Sequence, residues 1–170
     1  MAAGTPDVPG KVQAAVVQAA PALFDTPRSL QKLADLTADA ARRRAELVVF
    51  PEAFVGGYPK GHDFGVSLGI RSPDGRDEFR RYFESAVDVP GPATEMIGSV
   101  AGDNSIYLVV GLIERAGGTL YCTAAMFGPD GGLLGTHRKL VPTALERVVW
   151  GRATARRSRS SPLPSARSAR

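Results

Sequence analysis

A glutamate stands directly after a short apolar run in the first third of the chain. Residues 47–50 read Leu-Val-Val-Phe, which has the β-branched and aromatic content of a buried strand, and Pro51-Glu52 ends the run. Ligands bind beside the carboxyl ends of strands in parallel α/β sheets, so Glu52 is placed where chemistry is expected. The glycines of the following turn, Gly56-Gly57-Tyr58-Pro59, allow the backbone to approach a small ligand closely. On spacing alone, a solvated glutamate before an ordinary turn is the alternative.

A lysine and a second glutamate lie in the run from Gly135 to Gly151, which reads GTHRKLVPTALERVVWG. Lys139 follows a predicted strand and precedes Pro142, which stops regular structure. Glu146 comes seven residues after the lysine, near the start of a predicted helical turn. A lysine between carboxylates can hold positive charge beside a reacting atom, but the commoner arrangement is a surface ion pair. Residue types and spacing leave both interpretations open.

The single cysteine, Cys122, is a third candidate because a thiolate is a strong nucleophile. It lies within the alternating run LYCTAAMF rather than at a strand end, so we expect a buried and chemically inert side chain. A single cysteine excludes an internal disulfide, which predicts a reducing, cytoplasmic location.

The composition is that of one globular domain. Of the 170 residues, 44% are hydrophobic and 22% are charged, and no uninterrupted apolar run reaches the length of a membrane span. The net charge of +4 is unevenly distributed, because residues 152–170 contain six arginines and no acid, which leaves residues 1–151 at −2. The acidic body offers no nucleic-acid surface, and the first residues lack the pattern of a secretion signal. We therefore expect neither nucleic acid nor a membrane as a partner.

Alternating strand and helix signals predict an α/β fold in which crossover helices join parallel strands. Asp25 before Thr26-Pro27 predicts a helix start, and apolar residues at helical spacing continue to about Arg43. Pro73-Asp74-Gly75 predicts a turn. The remaining predicted elements are strands over 12–18, 47–50, 106–113 and 120–127 and near 133, and helices over 76–86 and 93–103.

Both candidate runs carry recognisable motifs. AELVVFPEAFVGGYP resembles the first signature of the nitrilase branch of the carbon–nitrogen hydrolase family, and HRKLVPTALER resembles the second, HRKLxPTxxER. The matching positions of the second signature are His137, Arg138, Lys139, Leu140, Pro142, Thr143, Glu146 and Arg147. The runs GGYP, GRDEFRRY, VPGP and LYCT are also similar to nitrilases, so the resemblance covers residues 12–151 almost continuously. Arg44 departs from the pattern, because the family signature starts there with glycine, and we expect an altered helix cap.

The resemblance implies a fold and a reaction. The implied fold is a four-layer α-β-β-α sandwich, of which this chain supplies the N-terminal part. Glu52 would be the general base, Lys139 the cation that stabilises the intermediate, and Glu146 the residue that positions Lys139 and water. A small nitrile would be converted through a cysteine thioimidate to a carboxylic acid and ammonia, with no cofactor and no metal. The full-length family form is expected to be a homo-oligomer.

The nucleophile of the family is a cysteine beyond Gly151, followed by Trp-Glu, and this chain has no cysteine there. The resemblance therefore predicts an enzyme family but an inactive 170-residue chain. His62 and His137 have no partner at metal-ligand spacing, so we expect surface or supporting roles for both. One alternative function is a catalytically dead partner of an intact nitrilase, and another is nucleic-acid binding by the Arg-rich tail.

The sequence changes character after Trp150-Gly151. Residues 152–170 are rich in Arg, Ser and Pro, which predicts disorder. Moving the reading frame back by one nucleotide permits GDGSTLPVF and then PIGKVGA, which resemble the continuation of the family sequence. We interpret this segment as a frameshifted translation. The predicted organisation is a flexible arm over 1–11, a partial hydrolase domain over 12–151 and the tail over 152–170.

Overall fold

The computed structural model describes residues 11–67, 70 and 72–154. Within them, five strands form one sheet in the order β1-β2-β3-β4-β5. The strands are β1 (Ala14–Val16), β2 (Leu47–Val49), β3 (Tyr107–Ala116), β4 (Thr119–Phe127) and β5 (Leu133–Arg138). The helices are α1 (Thr26–Arg42), α2 (Pro73–Ser85), α3 (Pro92–Asp103) and a 3₁₀ helix (Ala144–Val148). The α/β class predicted from the sequence is confirmed.

The sheet is parallel on one side and antiparallel on the other. Strands β1, β2 and β3 run parallel, and β4 and β5 follow as antiparallel neighbours. Parallel pairs need long crossover connections. Helix α1 forms the crossover from β1 to β2, and helices α2 and α3 form the crossover from β2 to β3. Antiparallel pairs need only short turns, and Gly117-Gly118 suffices between β3 and β4. Strand β3 extends to Ala116 rather than to the predicted Ile113, because its backbone pairs with β4 along that whole length.

Helix α1 begins and ends where its capping residues predict. The Asp25 side chain accepts a backbone N–H of the first turn. At the other end, Arg44 has a φ of 64°, in the left-handed region. The N–H of Arg44 donates to the Ala41 carbonyl, and the N–H of Ala45 donates to the Ala40 carbonyl. This is a Schellman motif, so Arg44 occupies the position at which glycine is favoured.

Helix α2 begins at Pro73, and the predicted start at Arg76 was wrong. Ser72 is the N-cap, its hydroxyl accepts the N–H of Gly75, and Pro73 occupies the first turn. The Ser-Pro-Asp-Gly run is therefore a helix start rather than a free turn, because proline is favoured at the first helical position. A Cβ at Gly75 would collide with the backbone of Phe64, so this glycine lets α2 lie close to the preceding loop.

Helices α1 and α3 cover one face of the sheet. Apolar residues of both helices pack against alternate residues of the strands, and the central ones are fully buried. This layer comprises Leu30, Leu33, Ile97, Ala101, Val48, Leu108, Val110, Leu112, Ala125 and Phe127. The strand members recur at every second position, as expected for one face of a pleated sheet.

A smaller cluster lies on the other face of the sheet, near the end of β3. Tyr82 and Ala86 come from α2 and its C-cap, and they pack with Ile113, Cys122 and Trp150. Farther along the same face the strand side chains are less covered, and Val16 of β1 is 74% exposed. The smaller cluster supports the loops that carry the candidate site.

Two predicted segments fall largely outside the described residues. The arm over 1–11 is described only at Lys11, and the tail over 152–170 only as far as Thr154. Among the helices in the described part of the chain, none has the length and apolar character needed to cross a bilayer.

Candidate active site

Glu52 lies in the loop that leaves the carboxyl end of β2. Phe50 still donates its N–H to the carbonyl of Val109 in β3, and the chain then turns across β3. Glu52 passes directly over Gly111, where a Cβ would be 2.6 Å from the Glu52 Cα. The glycine therefore permits the close approach that places Glu52 against the sheet. The N–H of Val55 donates to the Gly111 carbonyl at 3.1 Å, which fixes the far side of the loop.

Lys139 is the first residue after β5 and the centre of the site. Its N–H donates to the Cys122 carbonyl at 2.8 Å, so the backbone remains attached to β4. Its Nζ lies 3.0 Å from Oε1 of Glu52 and 2.9 Å from Oε2 of Glu146. The three residues predicted as a site are thus brought into direct contact, with the ammonium between the two carboxylates.

Glu146 is the least exposed member of this group. The exposed fractions of the side chains are 45% for Glu52, 27% for Lys139 and 10% for Glu146. Glu146 belongs to the 3₁₀ helix and closes a capping box by accepting the N–H of Thr143. It also accepts the hydroxyl of Tyr58 at 3.0 Å. The capping box fixes the carboxylate close to its own backbone.

The electrostatics of the site favour one charge state. Burial alone would lower the pKa of Lys139, but hydrogen bonds to Glu146 and Glu52 outweigh it and raise this pKa above its ordinary value. Burial would raise the pKa of Glu146, but the hydrogen bond from Lys139 and that from the Thr143 backbone lower it. At neutral pH the site therefore holds an ammonium beside an ionised carboxylate.

Cys122 also contacts the site, which the sequence reasoning missed. It is buried in β4, as predicted, and its Sγ donates to Oε1 of Glu52 at 3.3 Å. Burial and then the Glu52 charge raise the pKa of Cys122 to about 12, so the thiol stays protonated. Cys122 lies opposite Lys139 because a register shift between Met126 and Phe127 moves the β4–β5 pairing by one residue, and the sequence gives no signal for this shift.

Arg138, next to Lys139, points to the opposite face of the sheet. Its guanidinium forms two hydrogen bonds with Glu114, whose carboxylate also accepts the hydroxyl of Thr123 at 2.7 Å. The guanidinium also lies 4.1 Å above the centre of the Tyr121 ring. This ion pair connects β3 to β5 across β4, beside the point at which Lys139 leaves the sheet.

The two histidines lie outside this group. His62 Nδ1 is 2.5 Å from Oε1 of Glu78, and its ring contacts those of Phe24 and Phe64. His137 is exposed in β5. Across residues 11–67, 70 and 72–154, no three His, Cys, Asp or Glu side chains form a group that could hold a metal ion.

A cleft of about 330 Å³ opens beside Glu146, between residues 58–66 and the 3₁₀ helix. Its lining is mainly apolar and includes Tyr58, Phe64, Val66, Leu145, Val148 and Val149. A mainly apolar cleft with an ionised group at its wall is typical of sites for small organic molecules.

Residues 13–165 match the family model described as carbon-nitrogen hydrolase. The chain belongs to the carbon-nitrogen hydrolase family. The predicted nitrilase branch is confirmed by the curated relatives. A bifunctional nitrilase/nitrile hydratase of Lupinus angustifolius is 54% identical over 140 residues, which are 82% of this chain and 40% of the relative. An aliphatic nitrilase of Sinorhizobium fredii is 52% identical over 141 residues, 83% of this chain and 46% of the relative.

Solved structures of this carbon-nitrogen hydrolase type share the fold. An amidase from Nesterenkonia sp. superposes with a TM-score of 0.63 at 22% identity, over 84% of this chain and 48% of the amidase. A carbon-nitrogen hydrolase from Helicobacter pylori G27 gives 0.60 at 21% identity, over 85% of this chain and 46% of that protein. The chain thus spans less than half the length of these relatives and of the two curated nitrilases.

Proposed function

We propose that this chain carries the acid–base half of a nitrilase-type site, which hydrolyses a small nitrile to a carboxylic acid and ammonia. The observation that carries the proposal is the position of Lys139 Nζ, 3.0 Å from Glu52 and 2.9 Å from Glu146. The three residues come from a strand end, a second strand end and a 3₁₀ helix. Carboxylates and an ammonium from separate segments supply a base and a fixed positive charge at one point.

Glu52 is proposed as the general base. It is the most exposed of the three side chains, so a substrate or a nucleophile can reach its free oxygen. Its role is to take the proton of a cysteine thiol, because the thiolate and not the thiol attacks the nitrile carbon. The ammonium that shares Oε1 holds the carboxylate in position.

Lys139 is proposed to stabilise the intermediate. Attack on a nitrile carbon places negative charge on the nitrogen, and a fixed ammonium lowers the free energy of that state. The raised pKa keeps Lys139 charged. Glu146 would hold the ammonium from the other side and help to position the water that releases ammonia and the acid.

The nucleophile is the missing component. Cys122 is the only cysteine, and it is an unpromising candidate because its side chain is buried within β4 and burial raises its pKa to about 12. We therefore propose that the 170-residue chain does not turn over nitriles by itself. Cys122 would instead act as a hydrogen-bond donor to the base.

A chimera tests this function directly. Residues 12–151 would replace the matching segment of the Sinorhizobium fredii aliphatic nitrilase, which is 52% identical and contributes the rest of its own chain. We expect the chimera to release ammonia from aliphatic nitriles, and the Glu52→Gln and Lys139→Met chimeras to lose about a thousandfold or more in turnover. The intact 170-residue chain, assayed alongside, should release none.

Two further variants complete the test. Glu95→Gln removes an exposed carboxylate on α3 and should leave turnover unchanged. Cys122→Ala in the chimera should keep most of the activity, because Cys122 is not the proposed nucleophile. A folded chimera without activity, or an active Glu52→Gln chimera, would contradict the proposal.

We also propose the finer points that the resemblance implies. These are a cytoplasmic location, a homo-oligomer in the full-length form, a partial domain over 12–151 and a frameshifted segment over 152–170. Codon degeneracy supports the last point, since one shifted frame permits a family-like continuation. Sequencing the coding DNA across codons 148–170 tests it: codons that forbid Gly-Asp-Gly-Ser-Thr in the shifted frame would exclude the frameshift.

A further inference from the structure

The hydroxyl of Tyr58 holds the side of Glu146 that faces away from Lys139. Tyr58 donates to Oε1 of Glu146 at 3.0 Å, while Lys139 Nζ lies 2.9 Å from Oε2. Oε2 also accepts the N–H of Thr143, so Lys139 and the capping box share that oxygen, whereas Tyr58 donates to Oε1. Loss of the Tyr58 donor therefore leaves Oε1 unheld and loosens the rotation of the carboxylate about its last side-chain bond.

Tyr58 is itself placed by two buried aromatic residues. Its ring meets Trp150 edge-on, with 5.5 Å between the ring centres. The Trp150 indole N–H donates to the Tyr82 hydroxyl at 2.9 Å, and that hydroxyl donates to the Gly57 carbonyl at 3.2 Å. Gly57 precedes Tyr58 in the chain, so the contacts run from Tyr58 through Trp150 and Tyr82 back to the residue beside Tyr58. The φ of 92° at Gly57 explains why this turn needs glycine.

Exposure separates Tyr58 from the other two aromatic residues. Tyr58 is 39% exposed, whereas Tyr82 and Trp150 are buried. Solvent can satisfy an exposed hydroxyl, so folding does not require the bond from Tyr58 to Glu146. The bond instead stabilises one orientation of the Glu146 carboxylate. Glu146 is mostly buried, and its orientation decides whether Oε2 reaches Lys139.

We propose that Tyr58 is a positioning residue that acts through Glu146 to hold the ammonium of Lys139. The catalytic meaning of this role rests on the proposed function, but the positioning itself is a property of this chain. The GGYP turn would then orient a side chain of the site, in addition to connecting β2 to α2.

The experiment follows hydrogen exchange of the Lys139 ammonium in the full 170-residue chain by nitrogen-15 NMR. The chain has four lysines, Lys11, Lys32, Lys60 and Lys139, so Lys139→Arg assigns the signal. In Tyr58→Phe, which removes only the hydroxyl, exchange of the Lys139 ammonium with water should accelerate about fivefold, because the ion pair with Glu146 is loosened. Tyr121→Phe, a matched change on the other face of the sheet, should leave it unchanged.

The single tryptophan provides an internal reference in the same samples. If Tyr58 only supports packing, Tyr58→Phe will also accelerate exchange of the Trp150 indole N–H, which is bonded to Tyr82. Faster exchange at Lys139 with unchanged exchange at Trp150 supports the proposal. Faster exchange at both groups, or no change at Lys139, overturns it. No turnover is measured, so failure of the chimera and failure of this inference are distinguishable.

Discussion

Gly111 of β3 lies directly beneath Glu52, and a Cβ on this glycine would be 2.6 Å from the Glu52 Cα. We expect Gly111→Ala to push the strand-end loop away from the sheet and to destabilise the fold by about 1–3 kcal/mol, as overpacking does. Urea denaturation gives the free energy of unfolding. Gly118→Ala is the control, since no atom lies within 4 Å of its added Cβ. Equal losses for the two variants would contradict this account.

Replacing Arg44 with glycine is expected to stabilise the fold. Its φ of 64° lies in the left-handed region at the position that follows the C-cap of α1. Arg44→Gly should raise the free energy of unfolding by about 1 kcal/mol, because glycine adopts this conformation without steric cost. Arg43→Gly, one residue earlier at a φ of −88°, should lower it. A thermal melt of both variants is sufficient, and destabilisation by Arg44→Gly would refute the argument.

The buried thiol predicts a loss of stability in alkali. The pKa of Cys122 is about 12 in the folded state, against an ordinary value of 9.0. Above pH 9.0 the unfolded chain releases the thiol proton and the folded chain retains it, so the unfolded state binds fewer protons. The free energy of unfolding therefore falls as pH rises, by at most about 1.4 kcal/mol per pH unit for this group.

Cys122→Ser isolates this effect. A serine hydroxyl can still donate to Glu52 but does not titrate in this range, so the slope contributed by the thiol should disappear. The comparison is made below pH 10.0, because the raised pKa values of Tyr82 and Tyr58 add slopes of the same sign above the ordinary tyrosine value, and that of Lys139 does so above 10.5. Urea denaturation at several pH values gives the change of the free energy of unfolding with pH for each protein. Identical slopes for the unsubstituted protein and for Cys122→Ser would rule out a buried thiol.

The two residues of the Arg138–Glu114 ion pair should differ in how much stability is lost when each is replaced by alanine. The Glu114 side chain is 6% exposed and that of Arg138 is 38% exposed. Arg138→Ala leaves a buried carboxylate without its cation and should cost about 3 kcal/mol or more. Glu114→Ala leaves a guanidinium that water can reach, so its cost should be smaller. Denaturant unfolding of both variants provides the test, and a larger loss for Glu114→Ala would contradict the structure.

Much of this site could be predicted because strand ends and motifs are local. The apolar run before Glu52 and the proline after Lys139 are visible in the sequence, and the structure brings these residues and Glu146 together. The start of α2 was missed because Pro73-Asp74-Gly75 was interpreted as a turn, although Ser72 before it is a good N-cap. A capping residue decides such cases, since proline and glycine tolerate both conformations.

The contacts of Cys122 and Tyr58 could not be predicted from local pattern alone. Cys122 reaches Glu52 only because β4 lies between β3 and β5 in the sheet, and the burial of a strand residue does not tell which site it touches. Tyr58 reaches Glu146 across 88 positions of sequence. Such pairings depend on register and on the path of loops, which no short window contains.

The ion pair of Lys139 with Glu52 joins residues 87 positions apart, with β3, β4 and most of the helical structure between them. Closing so long a loop costs chain entropy that is recovered only when the intervening strands have paired. We therefore expect the pair to form late in folding, after β3, β4 and β5 have paired. A signal from an ammonium held in this pair is consequently expected only from molecules in which those strands have assembled.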